Sequence, residues 1–257
     1  MAKSVTASIR GLYRYPVKGL SPESLPRMAI EPGGTAPFDR AYAIENGPGR
    51  FDPEAPQHLA KINFLMLMRD ERLATLRTRF DEDSHTLTIY RDNKQVARGQ
   101  LSTPLGRKMI EQFLAAYMQG ELRGAPRIVF AEGHSFTDMA SKCLHIVNLA
   151  TMRELEHAAG TPLNPLRFRP NIVIDGASAW EEFGWVGKTI AVGETELEVF
   201  KRTSRCAATD VDPDTGKRDT ALPAVLQRTW GHADFGVYAR VAQGGTIAVG
   251  DAVTALS

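Results

Sequence analysis

Apolar positions in this chain fall in short alternating runs more often than in helical stripes. From Ser4 to Tyr15, the side chains Val5, Ile9, Leu12, Tyr13 and Tyr15 predict a strand that enters a turn at Pro16-Val-Lys-Gly19. Met28 to Glu31 and Tyr42 to Glu45 are further strand-like pieces around Gly33-Gly34 and Phe38-Asp39-Arg40. A breaker-rich loop from Gly47 to Pro56 precedes the apolar run Ile62 to Met68. Thr75 to Phe80 and Thr86 to Tyr90 then pair as a hairpin through Asp81-Glu-Asp-Ser84. Thr103-Pro104 has the form of an N-cap with proline at the first helical position. Leu105, Met109, Phe113 and Tyr117 follow at helical spacing, which predicts a helix ending near Gly120.

Two glycines and a proline between Gly120 and Pro126 place a domain boundary near residue 125, giving units 1–125 and 126–257. In the second unit, Leu144 to Val147 predicts a strand, and Thr151 to Ala159 a helix capped by Gly160. Alternation from Leu166 to Asp175 puts Arg167 and Arg169 on one face, ahead of a buried strand at Ile172 to Ile174. Lys188 to Phe200 reads as a hairpin. Its core Thr-Ile-Ala-Val-Gly recurs at Thr246 to Gly250, as expected for two similar corners of one small barrel. The pattern predicts an α+β, predominantly β protein: an N-terminal β-barrel-like domain, then a second β-barrel with a few flanking helices.

Composition narrows the partners. With 43% apolar residues in 257, the chain can bury a full core. Lys and Arg number 31 against 30 Asp and Glu, so there is no broad basic field for nucleic acid or an anionic membrane, and anion recognition must be local. Met1 to Arg10 lacks a signal-peptide core, and no apolar run approaches the roughly 20 residues of a membrane span, so the expected location is cytoplasmic. The two cysteines, Cys143 and Cys206, cannot make a disulfide framework; the sequence leaves one bridge between them open, and free thiols are the expectation. Cys143 opens an apolar strand and reads as a small buried hydrophobe.

Several motifs fail on spacing. Gly184-Trp-Val-Gly-Lys-Thr189 is too short for a phosphate loop. Asp210, Asp212 and Asp214 resemble a calcium loop, but Gly216 falls one place late and Ala221 stands where a bidentate Glu is needed. The six histidines show no zinc spacing, and His134 and His145 read equally as structural or functional. Ser204-Arg205-Cys206 is more informative, because it sets a thiol beside a cation at the end of a strand. Thiolate suits soft metals, and a guanidinium lowers a neighbouring thiol pKa or grips an anion. A half-buried cysteine at a strand end is the bland account of the same residues. By residue type alone Lys18 is a solvated loop lysine. Yet Lys18, Arg40, Arg169 and Asn171 all sit in loops or at strand ends, where the polar groups of a barrel-mouth site lie.

The blocks Tyr15-Pro-Val-Lys-Gly19, Asp39-Arg40, Phe168-Arg-Pro-Asn-Ile-Val173, Ser204-Arg-Cys206, Thr209, Val211-Asp-Pro-Asp-Thr-Gly216 and Gly245-Thr-Ile-Ala-Val-Gly-Asp251 together carry a resemblance. The second half resembles the MOSC family, the C-terminal domain of molybdenum cofactor sulfurases. The first half resembles the β-barrel domain that precedes it in the amidoxime-reducing components and their bacterial relatives. The resemblance implies a molybdenum cofactor, Mo-molybdopterin, with Cys206 as the thiolate on the metal. It assigns the pterin and its phosphate to Lys18, Gly19, Arg40, Arg169, Asn171, Ser204 and Arg205, with Asn148 and Thr151 added from a strand-to-helix corner. Asp210 and Asp212 are candidates for relaying protons to the leaving oxygen, against a turn-stabilising role. The implied activity is oxidoreductase: reduction of N-hydroxylated or N-oxide compounds, with electrons from a separate ferredoxin, flavodoxin or cytochrome-type donor. The alternative is a carrier of cofactor or persulfide sulfur without turnover. The resemblance further implies a basic pocket between the two halves with Cys206 at its floor.

Overall fold

Short alternating runs satisfy their backbone polar groups only by pairing, and closing a sheet on itself leaves no free edge. The computed structural model describes residues 7–256; Ser4 to Thr6 of the first expected strand lie outside the described residues. In chain order the first half gives β1 (Ala7–Arg14), β2 (Glu23–Leu25), β3 (Arg27–Ile30), β4 (Tyr42–Glu45), β5 (Arg77–Asp81), β6 (Thr86–Arg91), β7 (Lys94–Gln100) and α1 (Pro104–Tyr117). The second gives β8 (Arg127–Phe130), β9 (Leu144–Asn148), α2 (Leu149–Ala159), β10 (Ile172–Asp175), β11 (Lys188–Val192), β12 (Thr195–Ser204), α3 (Leu222–Trp230), β13 (Asp234–Gln243), β14 (Gly245–Ala248) and β15 (Ala252–Ala255). The protein is α+β and predominantly β.

Seven strands close into a barrel in the order β10-β9-β13-β12-β11-β15-β1, with β1 returning to β10, and β2 adds outside β1. Alternate residues point inward and form one core, including Ile9, Ile146, Ile174, Ile190, Leu197, Val237 and Val253. Along β13 that alternation is explicit: Val237, Ala239 and Val241 are all buried in this core. Burying each such side chain contributes roughly 1.5–3 kcal/mol, which explains why register here is fixed. In the same strand Gly236 has φ +77°, and a Cβ on it would lie 2.5 Å from the Ile146 carbonyl and 2.6 Å from His145 Nε2. Only glycine allows β13 to bend that closely over β9.

A second core lies between the three-stranded sheet β5-β6-β7, the β4-β8 pair and α1. Helix α1 starts as its sequence predicts, with Thr103 Oγ1 accepting from Gly106 N at 3.1 Å and Pro104 in the first turn. Its buried face is Gly106, Ile110 and Leu114, however, and not the expected stripe: Leu105 is 72% and Met109 50% exposed. The two halves also interleave across residue 125. Strand β1 belongs to the barrel, β3 pairs with β14, and β4 pairs with β8. Of the repeated Thr-Ile-Ala-Val-Gly segments, only the first builds a barrel strand, because β14 leaves the ring to pair with β3 and β15 takes its place.

The alternation from Leu166 does not make a strand. Pro165–Phe168 is a 3-10 turn, and Arg169 ends it in the left-handed region at φ 52°. Arg167 and Arg169 therefore diverge: the Arg167 guanidinium meets Asp212 and Asp219, and that of Arg169 lies over the Tyr15 ring. Among the described residues no helix is long and apolar enough to cross a membrane.

Candidate functional site

A cleft of about 260 Å³ opens where the loops of the first half meet the barrel mouth. Lys18 and Gly19 reach it from the turn after β1, and Arg40 from the loop before β4. Arg169 and Asn171 come from the segment before β10, and Ser204, Arg205 and Cys206 from the end of β12. Eight of the twelve residues nominated from sequence thus line one cavity.

Lys18 is not a solvated lysine. It is only 7% exposed, donates to the Phe136 carbonyl at 2.8 Å and pairs with Asp138. Desolvation holds its pKa below the usual lysine range, an effect the carboxylate of Asp138 only partly offsets. Gly19 has φ +87° and sits against the Leu65 carbonyl, which a Cβ would approach to 2.9 Å.

Arg40 and Arg169 both lie over the buried Tyr15 ring, at 4.4 and 4.0 Å from its centroid. Arg40 is paired with Asp39, which also accepts from Tyr15 N. Arg169 pairs with no carboxylate among the described residues and donates only to the Leu20 carbonyl, at 2.9 Å. Desolvation, with the Arg40 charge beside it, lowers its pKa to about 10. Arg205 donates to the Phe168 carbonyl at 2.8 Å, and its Nη1 lies 3.5 Å from His145 Nε2, while its buried Nε has no partner. Desolvation and the Arg205 charge push the His145 pKa well below the usual range, so the ring is neutral and accepts from the guanidinium. Two half-buried guanidiniums without a counterion are costly unless something anionic sits between them.

Cys206 is half-buried and free. Its neighbour Arg205 makes no hydrogen bond to it and directs Nη1 and Nη2 to His145 and Phe168. The group that reaches Sγ is Lys61 Nζ, at 3.3 Å, from a 3-10 turn in the first half of the chain. Past the thiol, Arg218 donates to the Ala207 carbonyl at 2.7 Å and to the Leu67 and Met68 carbonyls at 2.9 and 2.7 Å. One side chain thereby ties the thiol's loop to the opposite wall.

Asn171 lines the cleft, yet its side chain is occupied structurally, accepting from His145 N at 3.0 Å and donating to the Tyr13 carbonyl at 3.2 Å. Four nominated residues lie outside the cleft lining. Asn148 caps α2, and its Nδ2 donates to Glu182, as does Thr151 Oγ1; both serve a buried carboxylate behind the barrel wall. Burial raises the Glu182 pKa against those hydrogen bonds. Asp210 accepts from Leu222 N at 2.8 Å and fixes the start of α3. Asp212 closes its own turn through Asp214 N and Thr215 N and pairs with Arg167 at 2.9 Å. These carboxylates brace the loop after Cys206 and do not face into the cleft.

Lys61, Asp138 and Tyr238 also line the cleft and have no sequence motif. Asp138 sits in an irregular segment and Lys61 in a short 3-10 turn, and Lys61 meets its sulfur partner 145 residues away. Cys143 is buried in the lining, and burial pushes its thiol up to about 11. Among the described residues no group of three or more His, Cys, Asp or Glu side chains converges to hold a metal ion.

The geometry is that of a closed barrel with an arginine-lined cleft and the Cys206 thiol at its mouth. The chain belongs to the MOSC family: residues 130–254 match the MOSC domain and residues 6–122 the MOSC N-terminal beta barrel domain. Mitochondrial amidoxime-reducing component 1 of Homo sapiens is 32% identical over 120 residues, 42% of this chain and 35% of that protein. Mitochondrial amidoxime reducing component 2 of Rattus norvegicus is 30% identical over 122 residues, 43% of this chain and 36% of that protein. The match thus spans about a third of these relatives' own length. Molybdenum cofactor sulfurase of Drosophila pseudoobscura pseudoobscura is 30% identical over 94 residues, 36% of this chain and 12% of that protein. Among solved structures, the YUAD protein from Bacillus subtilis aligns over 96% of this chain and 93% of its own at 12% identity, with a TM-score of 0.44.

Proposed function

We propose that the cleft binds molybdenum cofactor and that the protein is an oxidoreductase for N-hydroxylated or N-oxide compounds. The observation that carries this reading is the pair of half-buried guanidiniums without counterions, Arg169 and Arg205, facing the same cavity as the Cys206 thiol. The orphaned Arg205 Nε is a donor waiting for an acceptor, and a phosphate supplies oxygens in the geometry an arginine fork prefers. The name of the molybdenum cofactor sulfurase relative supports that cofactor, and the name of the amidoxime-reducing relative supports a reduction of that substrate class.

In this reading Cys206 Sγ is the protein ligand to molybdenum, a soft donor on a soft metal. Bound there, the cofactor supplies the two-electron redox chemistry that removes oxygen from an N–O bond. Arg169 and Arg205 hold its phosphate, Arg40 stiffens Arg169 through the shared Tyr15 ring, and Lys18 is fixed by Asp138. Met66, Leu67 and Met68 wall the cleft and keep water from the metal side. Electrons come from a separate ferredoxin, flavodoxin or cytochrome-type donor.

Metal analysis of protein made in a cofactor-competent host tests this. Near-stoichiometric molybdenum is expected in the wild type and none in Cys206→Ala, together with reduction of benzamidoxime by a chemical electron donor. Wild-type protein free of molybdenum, under conditions that load a known molybdoenzyme, would sink the proposal. A loaded protein without turnover would instead be a carrier of cofactor or persulfide.

A further inference from the structure

The cations of the cleft are not all accounted for by that cofactor. Lys18 is matched by Asp138, Arg40 by Asp39, and Arg167 by Asp212 and Asp219. Arg169 and Arg205 point at the phosphate in the reading above. Lys61 and Lys201 are left, both in the lining with Cys206. Lys61 Nζ lies 3.3 Å from Cys206 Sγ and 3.8 Å from Asp138 Oδ2, with its side chain 32% exposed. Lys201 is exposed on β12 and pairs with no carboxylate among the described residues. Asp138 is the one carboxylate among the described residues in the lining, and Lys18 already holds it closely. Against these ammonium groups stands an apolar wall of Met66, Leu67 and Met68.

We infer that Lys61 is a specificity-determining residue: it selects at the thiol face for N-oxygenated substrates carrying a negative charge beside an apolar body, and against cations. This rests on the reductase reading for its substrate class. Lys201 adds to the same field, and Asp138 sets how much of the Lys61 charge is felt. A second charge about 4 Å from an ammonium gains or loses about 1 kcal/mol even at the dielectric of water, which is about fivefold in a rate, and more where water is partly excluded. Selection of this kind acts by repelling the wrong sign as well as attracting the right one. The apolar wall receives the uncharged part of the molecule, as such walls do in small-molecule sites. No sequence motif announces Lys61, because its partners come from both halves of the chain.

The thiol itself reports the field. In full-length protein made without cofactor, Cys206 is alkylated with iodoacetate, an anion, and with iodoacetamide, its neutral counterpart. Peptide mass spectrometry separates its modification from that of the buried Cys143. Both reagents attack through the same thiolate, so the ratio of their rates cancels any change in thiolate fraction and leaves the effect of reagent charge. The iodoacetate to iodoacetamide ratio is expected to fall about fivefold in Lys61→Met, to hold in Lys61→Arg and to rise in Asp138→Asn. A ratio unchanged by Lys61→Met overturns the inference. In loaded protein, kcat/KM for a carboxylated benzamidoxime over a trimethylammonium one should fall in Lys61→Met and recover in Lys61→Arg. If loaded protein reduces neither compound, the reductase reading fails, while the alkylation ratio still decides whether Lys61 selects by charge.

Discussion

Tyr15 sits under two guanidiniums with its hydroxyl buried and unpartnered. An unsatisfied buried hydroxyl costs roughly 1–3 kcal/mol, so Tyr15→Phe is expected to hold or raise stability by about 1 kcal/mol in urea unfolding. Tyr15→Ala removes the platform itself and should cost roughly 3–5 kcal/mol, as large aromatic truncations do. A marked loss in Tyr15→Phe would mean that the hydroxyl has a partner. Asp138 gives a pH prediction. Its side chain keeps about half of its exposure (49%), the desolvation it does suffer is outweighed by Lys18, with Lys61 further off, and its pKa is lowered to about 2. A carboxylate depressed in the folded state stabilises above its ordinary pKa of about 3.8 and loses that contribution as pH falls toward the folded value. The difference in melting temperature between wild type and Asp138→Asn should therefore be full above about pH 4 and shrink to nothing near about pH 2. A difference that grows on acidification would contradict the pairing.

At the level of elements, what the sequence shows is what local chemistry decides. The caps of α1 and α2, the Asp81–Ser84 hairpin and the β11-β12 hairpin follow from residues within a few positions of one another. Cys206, Arg205, Arg169, Arg40 and Lys18 were legible because family motifs carry them. Lys61 and Asp138 were not, since their meaning arises only when segments about 70 residues or more apart meet. Asn148 and Thr151 lie outside the cleft lining, and the sequence does not show this because a polar strand-to-helix corner looks the same whether it faces a cofactor or a buried Glu182. Alternation at Leu166 failed because Pro165 starts a 3-10 turn that the period of two cannot reveal. Gly236 links element to site. In Gly236→Ala the new methyl would press on His145, the neighbour of Arg205, from a backbone angle that L residues rarely adopt. We expect a loss of at least about 1–3 kcal/mol and a lower molybdenum content than in an equally destabilised core variant such as Val237→Ala. Equal metal content in the two would separate the bend from the site.

For the whole molecule, the family boundary near residue 125 separates sequence patterns but not folding units. Without β1 the barrel has no strand to bridge β10 and β15, and without β8 the first half lacks the partner of β4. Residues 126–257 produced alone are expected to lack a cooperative thermal transition and to associate through the open edges; a sharp monomeric unfolding transition would refute this. Adding residues 7–30 in trans should restore it in part. There is a cost in time as well as in architecture. Strand β1 leaves the ribosome early, yet its partners, Ile172 to Asp175 and Ala252 to Val253, are made more than 150 and 230 residues later. Until then only Leu12 to Arg14 of this apolar strand have a partner, in β2, so translation speed and chaperone holding are expected to be determinants of yield for this protein, with closure of the ring as the slow event.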